Sequence, residues 1–238
     1  MPPETPSLPD VLLQSSLSLR NTTERIRWYM CVIVTLSSLN YPDVIPQVYD
    51  HFSTNLLAEL PPADRFRAVQ NVREGLIKST GIVGAGRTGN AMRTLSNCIP
   101  DEYREADSPR SKESDEVARK RGREFWLNIY ARNPAFDPEA SVRASPDYAF
   151  VVRDLLYARV FSYDGVLDPL TTGYAMVSGL YGMDCQNQLQ HHMKGMLFNG
   201  ASRHDLLYLQ ELCLRVAKEL GVQFRHPPAP IPTIPTQD

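Results

Sequence analysis

No Cys-x-x-Cys pair occurs in the 238 residues, and the four cysteines, Cys31, Cys98, Cys185 and Cys213, lie far apart. Zinc ribbons need paired sulfur ligands and vicinal-dithiol redox sites need neighbouring thiols, so neither is supported. Four scattered cysteines in a chain of this length do not make a secreted disulfide scaffold either. Long hydrophobic runs are also missing. The most apolar stretch, Trp28 to Leu36, falls far short of the ~20 residues a membrane helix requires. Met1 to Asp10 carries four prolines and no basic segment, which does not read as a signal peptide. An excess of one charge is lacking too: 25 Lys and Arg against 27 Asp and Glu give a net charge of -2. Phosphate binding needs a concentrated basic surface, and the basic stretch Arg110 to Arg123 is broken by Glu113, Asp115 and Glu116. Nucleic acid and membrane are thereby set aside as partners, and a reducing, cytoplasmic location is expected.

Strand-like alternation is sparse, and helical periodicity is plentiful. Leu206, Leu209, Cys213, Val216, Ala217 and Leu220 recur at spacings of three and four, with Glu211, Arg215, Lys218 and Glu219 on the opposite side. Ser202 and Asp205 form a capping pair before that helix, and Gly221 ends it. The expected fold class is all-α. Residues 1–20 read as a flexible N-terminal tail, and 226–238, rich in proline, as a second tail that cannot be helical. Residues 101–122 read as a charged connector, with a helix expected around Glu116 to Tyr130.

An internal repeat is suggested when the chain is slid so that Thr23–Asp64 lies on Asp164–Asp205 without a gap. Ser37/Ser178, Leu39/Leu180, Asp43/Asp184, Gln47/Gln188, His51/His192, Leu56/Leu197 and Asp64/Asp205 then coincide. Apolar positions correspond as well, in Val48/Leu189, Phe52/Met193, Leu57/Phe198 and Phe66/Leu207. The expected organisation is a first, degenerate repeat over 21–100 and a second over 123–225.

The second repeat contains Pro146-Asp147-Tyr148, Leu155-Leu156-Tyr157, Val160-Phe161 and Gly165-Val166-Leu167-Asp168. It continues through the helical stretch Leu170–Tyr181, Gln188-Leu189-Gln190-His191-His192, and Gly200-Ala201-Ser202 before Asp205. Across about Arg121 to Val222 it resembles the carboxymuconolactone decarboxylase / alkyl hydroperoxidase D-like superfamily. The first repeat is more faintly similar, through Arg73-Glu74-Gly75-Leu76-Ile77-Lys78, Gly84-Ala85-Gly86 and Asn90-Ala91. The resemblance implies an alkyl hydroperoxidase D-like helical bundle of two pseudo-repeats that assembles as a homo-oligomer.

The resemblance also carries a chemistry. Hydroperoxidase D-like members use a glutamate, two cysteines and a histidine, and these fall here on Gly173, Cys185, Gln188 and His192. Cys185, Gln188 and His192 stand at i, i+3 and i+7, one face of a helix. A thiol reductase needs two sulfurs, and this face offers one, so the dithiol reaction is not available. The decarboxylase branch has glutamine at the second cysteine position, as here, keeps the histidine and needs no metal or organic cofactor. Thr172 stands where that branch has arginine. Loss of CO2 leaves an extended enolate, which a histidine can stabilise and protonate.

The resemblance therefore implies a cofactor-independent enzyme, with decarboxylation or a related proton-transfer rearrangement as its reaction. The substrate class is a small cyclic or aromatic carboxylic acid, lactone or polyketide-like intermediate. His192 is the expected general acid/base, with Cys185 beside it. Gln188, Tyr181 and Arg87 are expected to contact substrate, and Asp184, Tyr157 or Tyr181 to stand in for the missing glutamate.

His51 serves either a second site or helix packing, and His191 faces about 100° away from His192. The run Gly81 to Asn90 has two glycines of a dinucleotide-binding loop but no preceding strand, and reads as a tight turn between helices. Two other readings remain open: peroxide handling by Cys185 alone or with Cys213, and a non-catalytic oligomeric scaffold that kept the fold.

Overall fold

The structure is a computed structural model that describes residues 6–234. Among the described residues are twelve α-helices: α1 (Asp10–Gln14), α2 (Thr22–Leu39), α3 (Ile45–Asn55), α4 (Pro62–Val83), α5 (Ala85–Cys98), α6 (Pro109–Lys112), α7 (Asp115–Tyr130), α8 (Ala140–Ala144), α9 (Pro146–Phe150), α10 (Pro169–Gly182), α11 (Gln186–Phe198) and α12 (Arg203–Glu219). No strand occurs among the described residues, so the chain is all-α as expected.

The two helices at the centre are apolar around most of their circumference. In α2 every residue from Trp28 to Ser38 is buried, and in α10 so are Thr171, Thr172 and the run from Tyr174 to Tyr181. A helix without a polar face has to be enclosed on all sides, and α2 and α10 pack directly on each other. Their starts are set by side-chain caps. Asn21 accepts from the Glu24 amide, and Asp168 accepts from the Thr171 amide with Pro169 in the first turn. The capping pair expected at Ser202 and Asp205 is present in full at the start of α12.

The sequence offset that links the two repeats lays α2 on α10, α3 on α11 and α4 on α12. The packing respects that exchange. α2 contacts α3 and α4 while α10 contacts α11 and α12, and across the centre α2 meets α12 while α10 meets α4.

Two expectations need correction. Residues 8–18 are not a flexible tail, because Leu8, Leu12, Leu13 and Ser16 are buried against the core; positions 1–5 lie outside the described residues. The proline-rich end lacks helix but is docked, with Ala229 and Ile231 buried and their carbonyls bonded by Gln210 Nε2 (2.7 Å) and Arg203 Nη1 (3.1 Å); positions 235–238 lie outside the described residues. The helix expected around Glu116 to Tyr130 is present as Asp115–Tyr130, capped by Ser114, and runs across the boundary placed at 122/123.

After α9 the chain continues as a π-wound segment, Val151–Phe161, which packs along α7. Its end is held by Lys78, which is fully buried and donates from Nζ to the carbonyls of Phe161 (2.7 Å) and Tyr163. Burial pushes the Lys78 ammonium down to about 7, against the pull of Glu74 nearby, which also pairs with Arg110. Gly122 makes the close approach of α7 possible, since a Cβ there would lie 2.5 Å from the Ala158 Cα.

Candidate functional site

His192 lies on the buried face of α11, 5% exposed. Its Nε2 is 3.2 Å from the Tyr130 hydroxyl of α7, which is 3.0 Å from the Tyr157 hydroxyl of the π-wound segment. Desolvation holds His192 down to about 4, so the imidazole is neutral at physiological pH. The same cause raises Tyr130 and Tyr157 above the usual phenol value, so both remain protonated. The three groups form a chain of neutral donors and acceptors running from the π-wound segment into the core.

The first half holds a counterpart. Ser16 Oγ lies 3.0 Å from the Tyr29 hydroxyl, which lies 2.8 Å from His51 Nδ1. The offset that equates His51 with His192 equates Ser16 with Tyr157. The middle tyrosine differs in origin: Tyr29 belongs to α2, whereas Tyr130 comes from α7.

The space around His192 is small. Its adjoining cavity, lined in part by Gly173, Met196 and Ile129, measures about 20 Å³, which is room for one water. A Cβ on Gly173 would lie 2.8 Å from Met196 Cγ. The methionine thus fills the volume where the resemblance would place a glutamate side chain.

A ligand-sized space lies on the other side of Tyr157. Between α7 and the π-wound segment is a groove of about 750 Å³ with Tyr157, Trp126, Leu127 and Phe136 among its lining residues. Arg119, Lys120, Arg123 and Arg153 also line it, against two carboxylates, Glu139 and Asp154. Arg153 lies over the Trp126 ring, 4.7 Å from its centroid. The cationic excess over an aromatic wall suits an anionic ligand with a flat apolar body.

The expected site residues do not assemble into one pocket. Cys185 is the N-cap of α11 with a non-helical backbone, and seven residues of helical rise place it about 10 Å along the axis from His192. Its thiol donates to the Met183 carbonyl at 3.6 Å. Gln188, expected beside His192, is exposed. Tyr181 is buried in the core, accepting from Gln210 Nε2 and donating to Met193 Sδ at 3.4 Å.

Arg87 joins helices rather than facing a ligand space: Nη1 donates to the Ser38 carbonyl at the end of α2 and reaches Met183 Sδ at 3.4 Å. Gly84, with φ of +89°, is the turn between α4 and α5. Asp184 is held by Gln186, the Arg225 amide and His226, away from the histidine chain. Cys31 and Cys213 are buried, with thiols pushed up to about 12 and about 11 by desolvation. Such thiols are not reactive nucleophiles. Among the described residues no group of three or more His, Cys, Asp or Glu could hold a metal, and no helix is long and apolar enough to cross a membrane.

Tyr157 was among the residues expected to replace the glutamate; Tyr130 and the basic wall were not anticipated. Their signal is in the sequence: Arg119, Arg123, Trp126 and Tyr130 recur at four, three and four residues, one face of one helix.

No family model matches the chain. It is 27% identical over 197 residues to Peroxisomal protein 2 of Schizosaccharomyces pombe, spanning 83% of this chain and 88% of that protein. Over 255 aligned positions it is 22% identical to Peroxisomal protein 2 of Saccharomyces cerevisiae, spanning 83% of this chain and 90% of the relative. Neither name states a reaction, a ligand or a partner.

Proposed function

We propose that this chain is a cofactor-independent, carboxymuconolactone decarboxylase-like enzyme on an alkyl hydroperoxidase D-like bundle. It takes a small cyclic or aromatic carboxylic acid, lactone or polyketide-like intermediate into the groove between α7 and the π-wound segment. The observation that carries this reading is the hydrogen-bonded chain Tyr157–Tyr130–His192, whose first residue is buried yet also lines the ligand-sized groove and whose last is a buried neutral imidazole. The cationic wall holds the substrate anion. As the bond to the departing CO2 breaks, its electron pair moves onto a conjugated oxygen that accepts a hydrogen bond from the Tyr157 hydroxyl, and solvent water then protonates the resulting enolate at carbon. Tyr130 and His192 polarise that donor from behind. His192 is in this reading a positioning residue, and Tyr157 is the group that meets substrate.

The test is CO2 release or proton exchange across a panel of aromatic and lactone carboxylates. Tyr157→Phe is expected to lower kcat by about a hundredfold with little change in KM, while Arg123→Gln raises KM. Equal turnover by wild type and Tyr157→Phe would overturn the assignment. A second reading, a binding scaffold without turnover, is favoured by the one-water cavity at His192; saturable ligand binding with no product from any panel member would establish it. Peroxide consumption abolished by Cys185→Ser would instead favour a single-thiol enzyme.

The relatives' names support a peroxisomal rather than a cytoplasmic location for this chain, which fluorescent tagging would test. A homo-oligomer is also proposed, because Tyr148, Phe150, Val151 and Leu155 stand exposed together on α9 and the π-wound segment. Sedimentation as a 26.8 kDa monomer would overturn it.

A further inference from the structure

A second groove, of about 560 Å³, lies where the first halves of α2 and α12 meet α10 at Tyr174. Leu19, Trp28, Leu209 and Leu212 give it an apolar lining. Arg27 is its half-buried cation, with the guanidinium carbon 4.3 Å from the centroid of the Tyr174 ring. That guanidinium donates from Nη2 to Thr171 Oγ1 at 3.3 Å and lies beside the Tyr174 hydroxyl, with no carboxylate within ion-pair distance among the described residues. Its Nε is buried without an acceptor, and so is Trp28 Nε1, which lies close to the Tyr208 hydroxyl without closing a good hydrogen bond to it.

The two carboxylates of the groove are already engaged at helix starts. Glu24 accepts from the Arg20 amide and Asn21 Nδ2, and Asp205 accepts from the Ser202 amide and hydroxyl. Arg20, exposed at the rim, adds to the positive side. A half-buried guanidinium is ordinarily paired with an anion. Here Asp205, whose carboxyl Arg27 helps to hold below its usual value, lies beyond ion-pair distance of the guanidinium, and apolar side chains line the groove beside it.

We propose that this groove is a binding site for a monocarboxylate with an apolar chain or ring, the carboxylate pairing with Arg27 and the body lying along Trp28, Leu209 and Leu212. The site is separate from the α7 groove and shares no residue with it.

The chain has two tryptophans, one in each groove. Trp126→Phe therefore leaves Trp28 as the sole indole, and octanoate can be titrated against its fluorescence, with octanol as the uncharged control. A saturable change with octanoate is expected, weakened by added salt and at least tenfold weaker in Trp126→Phe/Arg27→Gln. Trp126→Phe/Arg27→Lys, which keeps the charge but not the fork, is expected to fall between the two. Circular dichroism of each variant separates loss of binding from loss of fold, and the lysine variant serves if the glutamine variant does not fold. An unchanged affinity in Arg27→Gln, octanol binding as tightly as octanoate, or a response that appears only at Trp126 in Trp28→Phe would each overturn the proposal.

Discussion

A neutral imidazole buried against a phenol makes stability depend on acid in a defined window. The folded-state value of His192 is lowered to about 4, while the unfolded chain protonates near the ordinary 6.5. Above pH 6.5 both states are neutral and the full contribution is present. As pH falls from 6.5 to 4 the unfolded chain takes up a proton that the folded chain refuses, and roughly 3 kcal/mol is lost. His51 is shifted in the same direction by the same cause. Urea unfolding at pH 7.5 and 4.5 is expected to show His192→Phe losing distinctly less stability than wild type between those pH values, with most carboxylates still ionised. Parallel losses would show that His192 is not held neutral. A second residue-level test concerns Gly173. Its replacement by alanine pushes into Met196 Cγ and is expected to cost about 1–3 kcal/mol; Met196→Ala in the same chain should recover much of it. The resemblance implied a glutamate position left empty at Gly173, but not that Met196 packs there, because Met196 comes from another helix and no local pattern links the two.

Element by element, the pairing of α7 with the π-wound segment places Tyr157 against Tyr130, and it depends on Gly122. A methyl group at 122 would meet the backbone of Ala158, which cannot rotate away as a side chain can. Gly122→Ala is therefore expected to lower the thermal midpoint by several degrees and to reduce ligand affinity in the α7 groove together with it, although alanine is the better helix former. A raised midpoint would mean the helices are not in close contact. Caps, periodicity and the helix starts at Ser202 and near Asp115 were legible because they are local. The π winding was not, since it rests on partners distant in sequence: Lys78 on the carbonyls of Phe161 and Tyr163, and α7 alongside. For the same reason Cys185, Gln188 and His192, matched to one face by spacing, were separated by the chain. The helix begins only after Cys185, and Gln188 turns to solvent while His192 turns to the core.

At the scale of the whole molecule, the offset that aligned His51 with His192 corresponds to an exchange of halves about the α2–α10 contact. Neither half encloses its own central helix. α2 needs α10 and α12 from the second half, and α10 needs α2 and α4 from the first. Cutting the chain after Ala106, within the exposed stretch 104–108 and before Arg110 reaches back to Glu74, keeps every helix whole. Fragments 1–106 and 107–238 would each expose an apolar helix along much of its length, and such surfaces associate or aggregate rather than remain in water. Neither fragment alone is expected to show cooperative unfolding, whereas mixing them should restore the helical signal and a single transition. The Ser16–Tyr29–His51 chain lies within the first fragment and Tyr130–Tyr157–His192 within the second, so the cut spares both. If each fragment instead unfolds cooperatively by itself, the halves are independent domains and the exchange-related packing adds little to stability. If they fold only together, the repeat is one core built from two interlocked copies.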